Sequence, residues 1–331
     1  MNDKTYAAID LGTNNCRLLV AKIYRDSFRV IDSYSRIVRL GEGLGDPATD
    51  QCLLSEDAMN RTIEALGVCA DKMHRNGVTH SRSVATEACR RAANRQPFYD
   101  RVENETAIRL ETLSTSQEAQ LTLDGCRQLL SPETSCALVF DIGGGSTELI
   151  WVDCSDLQSA RVIGMKSIPV GVVTLAEKYG DGSVSRDAYD AIINRLDDDL
   201  SNFDDEFGIS DYMLDHDIQM LGTSGTVTTL GGIYLNLPRY DRSKVDGLNM
   251  RVETISAISD RLRTMNFDER ARNACIGRER ADLVVMGCAI MEAIYRRWPV
   301  ITLRAADRGI REGLLLDLMS RRTNQIITGA L

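Results

Sequence analysis

An α/β protein built of two similarly folded halves facing each other across a cleft is the fold that this sequence predicts. Three observations carry that reading: an internal repeat, an alternation of strand-like and helix-like segments, and a chain of 331 residues, long enough for two cores. In the repeat, Ala7–Val20 aligns with Leu138–Trp151, placing Asp10 on Asp141 and Gly12 on Gly143. Each copy reads as an apolar strand, an Asp-apolar-Gly turn, small polar residues and a second apolar strand. That is a β-hairpin whose glycine lets the backbone approach a ligand. The expected halves are residues 1–125 and 126–331, with the final helix packing back on the first.

The elements follow in order. After the first hairpin, Ser55 is a helix N-cap; Ile63, Leu66, Ala70 and Met73 share one face of a helix reaching about Arg75, and Gly77 ends it. Ser81–Ala88 is a short strand running into a helix through Arg90, Arg91 and Asn94. Leu110–Leu113 is another short strand, and residues 116–130 form a helix joining the halves. Beyond the second hairpin, helices are expected at 186–202, 251–265 and 280–297. The acidic clusters at 197–199 and 204–206 read as a solvated helix face and its exit loop.

Composition narrows the function. Hydrophobic residues make up 43% and charged residues 26%, as in a folded protein, and 5% aromatics are too few for a nucleobase stacking platform. Lys and Arg number 39 against 48 Asp and Glu, a net charge of −9, which excludes a sequence-blind nucleic-acid coat. Clustered arginines can still grip a small polyanion. The nine cysteines are scattered without a Cys-x-x-Cys pair, so neither a disulfide framework nor a zinc knuckle is indicated. The N-terminal run carries no leader pattern and no apolar stretch is long enough for a bilayer, so a cytoplasmic protein without membrane or nucleic-acid partners is expected. Three histidines cannot build a multi-histidine metal cluster. His216-Asp217 is one piece of a histidine–aspartate phosphohydrolase site whose partner histidines are missing, and it reads as a loop.

The chemistry is expected in the glycine turns. Asp10-Leu-Gly12-Thr13-Asn14 and Asp141-Ile-Gly143-Gly144-Gly145-Ser146-Thr-Glu148 turn several backbone N–H groups toward one point, a nest for phosphate oxygens. Asp10 and Asp141, at the strand ends, are placed to hold Mg²⁺, or Mn²⁺ in its stead, against the same phosphate. A single such turn is explained by a tight hairpin; the repeat and the triple glycine point to phosphate. Gly222-Thr223-Ser224 lies where a strand feeds a helix, whose N-terminal amides favour an anion. Arg90, at a strand–helix junction, is the arginine expected to face the ligand. Glu118, in the first turn of a helix, is either a dipole-complementing carboxylate or a general base, and position alone leaves both open.

The ordered series Ala8–Asn14, Thr86–Asn94, Ser114–Ala119, Asp141–Glu148, Ser167–Gly171, Gly222–Thr226 and Gly309–Gly313 resembles the exopolyphosphatase and guanosine pentaphosphate phosphohydrolase family over essentially the whole chain. That family belongs to the actin-like, sugar-kinase-like and heat-shock-ATPase-like superfamily. The resemblance implies two actin-like (ribonuclease H-like) domains and Mg²⁺-dependent hydrolysis of the terminal phosphoanhydride of a linear phosphate chain. Glu118 falls on the family's catalytic carboxylate, Asp141 and Glu148 on its metal-and-water carboxylates, and the turns at 12–14 and 143–146 with Arg90 on its phosphate-gripping positions. Two features depart from the pattern: Ser114-Thr115 and Gln117-Glu118 replace the usual Ser-Gly and paired acids, and the helical domain of longer members is not represented. The expected function is a short-form, homodimeric exopolyphosphatase, with guanosine pentaphosphate 5′-phosphate removal as the alternative. An ATP-dependent small-molecule kinase and a non-enzymatic phosphate or nucleotide sensor are the readings from other classes.

Overall fold

The computed structural model describes residues 4–24, 27–45, 51–180 and 183–328, the last eight as backbone alone. Residues 1–3 of the N-terminal run read for a leader lie outside the described residues. The chain forms two compact units, residues 1–126 with 309–331, and residues 127–308.

In the first unit, β1 (Thr5–Leu11), β2 (Asn15–Tyr24), β3 (Ser27–Ile37), β4 (Val78–Ala85) and β5 (Glu111–Thr112) form a sheet of order β3-β2-β1-β4-β5. The first three strands are antiparallel neighbours, whereas β4 and β5 run parallel to β1. Because side chains alternate along a strand, β1 feeds two layers. Ala7, Ile9 and Leu11 face a core with Leu66, Phe98 and Val102, whereas Tyr6 and Ala8 face Leu121, Leu314 and Leu315. The first layer holds α1 (Glu56–Arg75), α2 (Glu87–Arg91) and α3 (Arg95–Thr106). Ser55 caps α1, its hydroxyl accepting from the Ala58 amide at 3.3 Å. On the other face lies α4 (Thr115–Cys126).

The second unit contains β6 (Cys136–Ile142), β7 (Thr147–Asp153), β8 (Arg161–Ile168), β9 (Gln219–Thr223), β10 (Asn249–Arg251) and β11 (Thr302–Ala306), in the order β10-β11-β9-β6-β7-β8. With β10 set aside, β8-β7-β6-β9-β11 repeats the first sheet strand for strand. The fold class is therefore the predicted one, α/β with a ribonuclease H-like sheet in each half. Helices α5 (Val172–Tyr179), α6 (Arg186–Phe207), α7 (Ile209–Asp215), α8 (Gly225–Tyr234), α9 (Arg242–Val245), α10 (Val252–Thr264), α11 (Phe267–Ala271) and α12 (Val284–Arg297) complete this unit. Among the described residues, no helix is long and apolar enough to cross a membrane, and no cysteine is in a disulfide.

Several boundaries differ from expectation. The helix placed at 116–130 ends at Cys126 and continues as a 3₁₀ turn over Arg127–Leu129. The one placed at 186–202 runs on to Phe207, where Gly208 supplies a left-handed φ of 62° and stops it. The one placed at 280–297 begins at Val284, after a turn. The reading of 204–206 as a solvated exit loop fails at Asp204, which lies inside α6 and is 4% exposed. Its carboxylate accepts from Trp298 Nε1 at 3.0 Å and Ser210 Oγ at 2.5 Å, and pairs with Arg297 at 2.8 Å. These partners satisfy a charge that burial alone would disfavour.

The chain returns to the first unit through α13 (Ile310–Thr328), which lies against α4. The approach is backbone on backbone. A Cβ on Gly125 would stand 2.1 Å from the Gly309 carbonyl oxygen, and one on Gly313 would stand 2.1 Å from that of Leu121. Gly125→Ala is expected to destabilise the first unit by about 1–3 kcal/mol through forced separation of the helices. Chemical denaturation with an unaltered transition would show that the helices yield without cost.

Candidate functional site

In open α/β sheets, loops that leave the carboxyl ends of parallel strands are the ones free to hold a ligand. The predicted residues lie on such loops, or at the strand ends beside them, in both units. In the first unit, β1, β4 and β5 are the parallel strands, and they are followed by Gly12–Asn14, by Thr86–Arg91 and by Leu113–Glu118. The Leu11 carbonyl accepts from Thr86 N at 3.1 Å and that of Ala85 from Leu113 N at 3.0 Å, tying the three loops together.

The first glycine turn is closed by Gly12 N donating to the Asn15 carbonyl at 2.9 Å. The segment after β3 braces it: Val38 N and Arg39 N donate to Asn14 O, and Gly41 N donates to Thr13 O at 2.9 Å. Gly41 is a glycine because a Cβ would fall 2.3 Å from the Thr13 methyl. Thr13 and Asn14 are buried, and among the described residues Asn14 Oδ1 has no hydrogen-bond partner. Asp10 pairs in register with Arg17. Burial raises the pKa of its carboxyl, Arg17 and Arg311 lower it, and Glu312 raises it, with a net rise.

Glu118 owes its place to a helix cap. Ser114 Oγ accepts from Gln117 N at 3.2 Å, and Gln117 Oε1 accepts from Ser114 N at 2.9 Å. This reciprocal pair is a capping box, and it accounts for Gln117, which stands where the family pattern has an acid. The next residue is Glu118, 6% exposed, with its amide bonded to Ser114 O. Arg90 Nη1 donates to Glu118 Oε2 at 2.8 Å and to Leu113 O at 3.0 Å, and its Nη2 pairs with Glu87 at 2.6 Å. Burial acts to lower the Arg90 pKa, but Glu118 and Glu87 outweigh it and hold the guanidinium charged. Arg90, expected as a phosphate grip, thus spends most of its donors on two carboxylates. Sequence reasoning passed over Glu87; the signal for it was its i,i+3 spacing from Arg90 on a helix.

The second unit repeats the device. Gly143 N donates to Ser146 O at 2.8 Å, the counterpart of the Gly12–Asn15 bond. Asp141 and Glu148 are directly opposed partners on β6 and β7, as Asp10 and Arg17 are on β1 and β2. On the neighbouring strands Thr223 is registered with Asp141, and Ser167 with Glu148. Glu148 is 4% exposed, and its Oε1 accepts from Ser146 Oγ at 2.6 Å and from Ser167 Oγ at 2.9 Å. The Ser146 hydroxyl, expected on phosphate, is therefore engaged by Glu148. Ser167 carries no local signal for this role, because its partner is nineteen residues away on another strand.

The turn itself is pinned from behind. At the start of α5, Val172 N donates to Gly143 O at 3.0 Å and Val173 N to Gly144 O at 2.8 Å. A Cβ on Gly171 would stand 2.3 Å from Gly144 O and 2.6 Å from Gly145 N. Of the third glycine element, Gly222 sits inside β9 with Phe140 packed where its Cβ would be. Thr223 Oγ1 donates to Arg308 O at 2.6 Å, and Ser224 caps α8 from a φ of 129°.

Comparison with known proteins agrees with this architecture. Residues 19–322 match the Ppx/GppA phosphatase family. Exopolyphosphatase 2 of Mycobacterium tuberculosis is 27% identical, covering 94% of this chain and 98% of its own. A solved Ppx/GppA family member from Aquifex aeolicus is 27% identical, with a TM-score of 0.77 and coverage of 96% and 98%. An exopolyphosphatase structure from Cytophaga hutchinsonii shares the fold, with a TM-score of 0.84 at 23% identity over 95% and 98% of the two chains.

Proposed function

This chain belongs to the Ppx/GppA phosphatase family, and from that premise we propose that it is an exopolyphosphatase, releasing orthophosphate from the ends of inorganic polyphosphate. The observation that carries the proposal is Glu118, a carboxylate 6% exposed, fixed by a helix cap and gripped by Arg90 at 2.8 Å. A carboxylate so constrained suits the orientation and deprotonation of an attacking water.

The other roles follow residue by residue. Amides of the turns at Thr13–Asn14 and Gly144–Ser146 stabilise phosphate oxygens, and the Arg90 donor left over from Glu87, Glu118 and the Leu113 carbonyl adds to them. The β9–α8 junction at Gly222–Ser224 presents the N-terminal amides of α8 to the phosphate chain. Mg²⁺ is the metal that this reading requires. Among the described residues no three His, Cys, Asp or Glu gather as a metal site of their own. Mg²⁺ asks for less: one or two carboxylates, with waters and substrate phosphates for the remainder. Asp141 and Glu148, opposed across β6 and β7, fit that demand and would hold it. Asp10 is the further candidate ligand; burial raises the pKa of its carboxyl, and Arg17 and Arg311 offset that rise only in part. Bound Mg²⁺ supplies offsetting charge for the phosphoanhydride oxygens as the bond breaks. The finer reading is of a cytoplasmic homodimer, for which sedimentation and fractionation are the checks.

The deciding measurement is phosphate release in Mg²⁺ from polyphosphate, guanosine pentaphosphate and ATP, compared at equal phosphoanhydride concentration. Polyphosphate is expected to give the highest kcat/KM. A preference for guanosine pentaphosphate would transfer the same chemistry to that substrate, and phosphate transfer from ATP to a small acceptor would overturn the proposal. In the same assay Asp141→Asn is expected to raise the Mg²⁺ requirement and lower the maximal rate, with melting little changed. If rate and Mg²⁺ dependence stay as in the parent, Asp141 is no ligand. Early melting at normal activity per folded molecule would make it a tie of its hairpin.

A further inference from the structure

Arg90 is held on both sides. A guanidinium has five N–H donors, and four of Arg90's are committed: Nε and Nη2 to Glu87 Oε2 at 3.1 and 2.6 Å, and Nη1 to Glu118 Oε2 at 2.8 Å and Leu113 O at 3.0 Å. The Glu87 side chain is 12% exposed and that of Arg90 19%. The second Glu87 oxygen faces Arg91, whose Nε lies 4.0 Å away and whose Nη2 donates to Gly45 O. Glu87 is thus bracketed by two arginines of its own short helix. Arg91 is itself fixed by its bond to Gly45 O, and Arg90 carries the hold of Glu87 to the α4 cap.

We infer that Glu87 is a positioning residue that acts through Arg90 on Glu118. This inference rests on the proposed role of Glu118 as the base. The physical need is plain. An arginine side chain has many rotamers open to it, and one bound at Nη1 alone could pivot about that contact. Glu87 takes the opposite edge of the planar group, so that the Nη1 pair is presented to Glu118 and Leu113 in one orientation. Glu118 then meets water at one angle rather than a range of angles. Glu87 itself has no part in proton transfer, because both its oxygens face arginines.

A double-mutant cycle tests this in the full-length chain, using phosphate release from polyphosphate in saturating Mg²⁺. Glu87→Ala is expected to lower kcat by about 10- to 100-fold with KM changed less than about twofold, since the lost quantity is orientation at the reacting atom. Glu87→Gln should recover most of that loss, because its amide oxygen still accepts from Arg90 Nε. In a Glu118→Gln background, Glu87→Ala should cost nothing more, as expected of two residues acting through one group. Should the alanine variant fail to fold, Glu87→Asp, which keeps the charge but withdraws the carboxylate by one methylene, should show a smaller loss of the same kind. Wild-type kcat in a folded Glu87→Ala or Glu87→Asp protein overturns the inference, as does an equal loss in the Glu118→Gln background. Full activity in Glu118→Gln alone overturns the base assignment instead, and with it the group that Glu87 would position.

Discussion

Glu118→Gln is expected to lower kcat for polyphosphate by about 10²–10⁴-fold, the usual weight of a general base, while binding is nearly retained. Glutamine keeps the size of the side chain and can accept from Arg90 Nη1 through its amide oxygen, so the 2.8 Å contact has a neutral substitute. The capping box of Ser114 and Gln117 lies upstream and is untouched, so α4 starts where it did. What disappears is the capacity to take a proton from water. Steady-state phosphate release and equilibrium binding of polyphosphate to the same preparation separate the two effects. A loss below tenfold would return Glu118 to the lesser role of complementing a helix N-terminus.

Gly171→Ala should be nearly as damaging, by a steric route. The added methyl would sit 2.3 Å from Gly144 O and 2.4 Å from Gly144 C, both backbone atoms that no rotamer can move aside. Either α5 retreats, stretching the Val172–Gly143 and Val173–Gly144 hydrogen bonds, or the Gly143–Ser146 turn shifts. A displacement of about 1 Å at positioned groups costs on the order of 10²-fold in rate, and overpacking costs about 1–3 kcal/mol in stability. Both are expected here, with Mg²⁺ and substrate dependence altered together. Gly67→Ala is the matched control, since a Cβ there meets nothing within 4 Å. Normal kcat/KM and melting in Gly171→Ala would mean that the turn's position is not set from behind.

Much of the site could be read directly because its signals are local. Both hairpins, their glycine turns and the Asp-x-Gly spacing lie within fourteen-residue segments, and the β1–β2 and β6–β7 registers follow from that repeat. Glu118 was identified by its motif, and its cap is a four-residue pattern. The helix boundaries that slipped, at Cys126 and Phe207, are also local, but they turn on which glycine or 3₁₀ turn ends a helix that the apolar periodicity would let continue. Asp204 misled for a different reason: an acid in an acidic run looks solvated until Trp298 and Arg297 arrive from ninety-odd residues away.

The sequence by itself determined the α/β class, the repeated hairpins, the paired acids at their strand ends and the chemistry those residues permit, since each depends on neighbours a few positions apart. Tertiary structure alone decided that Arg90 serves Glu118 besides its helix neighbour Glu87, that Ser167 shares Glu148 with Ser146, that Gly171 backs the Gly144 carbonyl, and that α4 meets the returning chain backbone on backbone at Gly125 and Gly309. Apart from the Glu87–Arg90 and Ser146–Glu148 pairs, these contacts join residues 19 to 184 positions apart. The physical reason is that a glycine or a serine carries the same local preference wherever it stands. What it touches is settled by how the sheets and helices pack, and no periodicity records that.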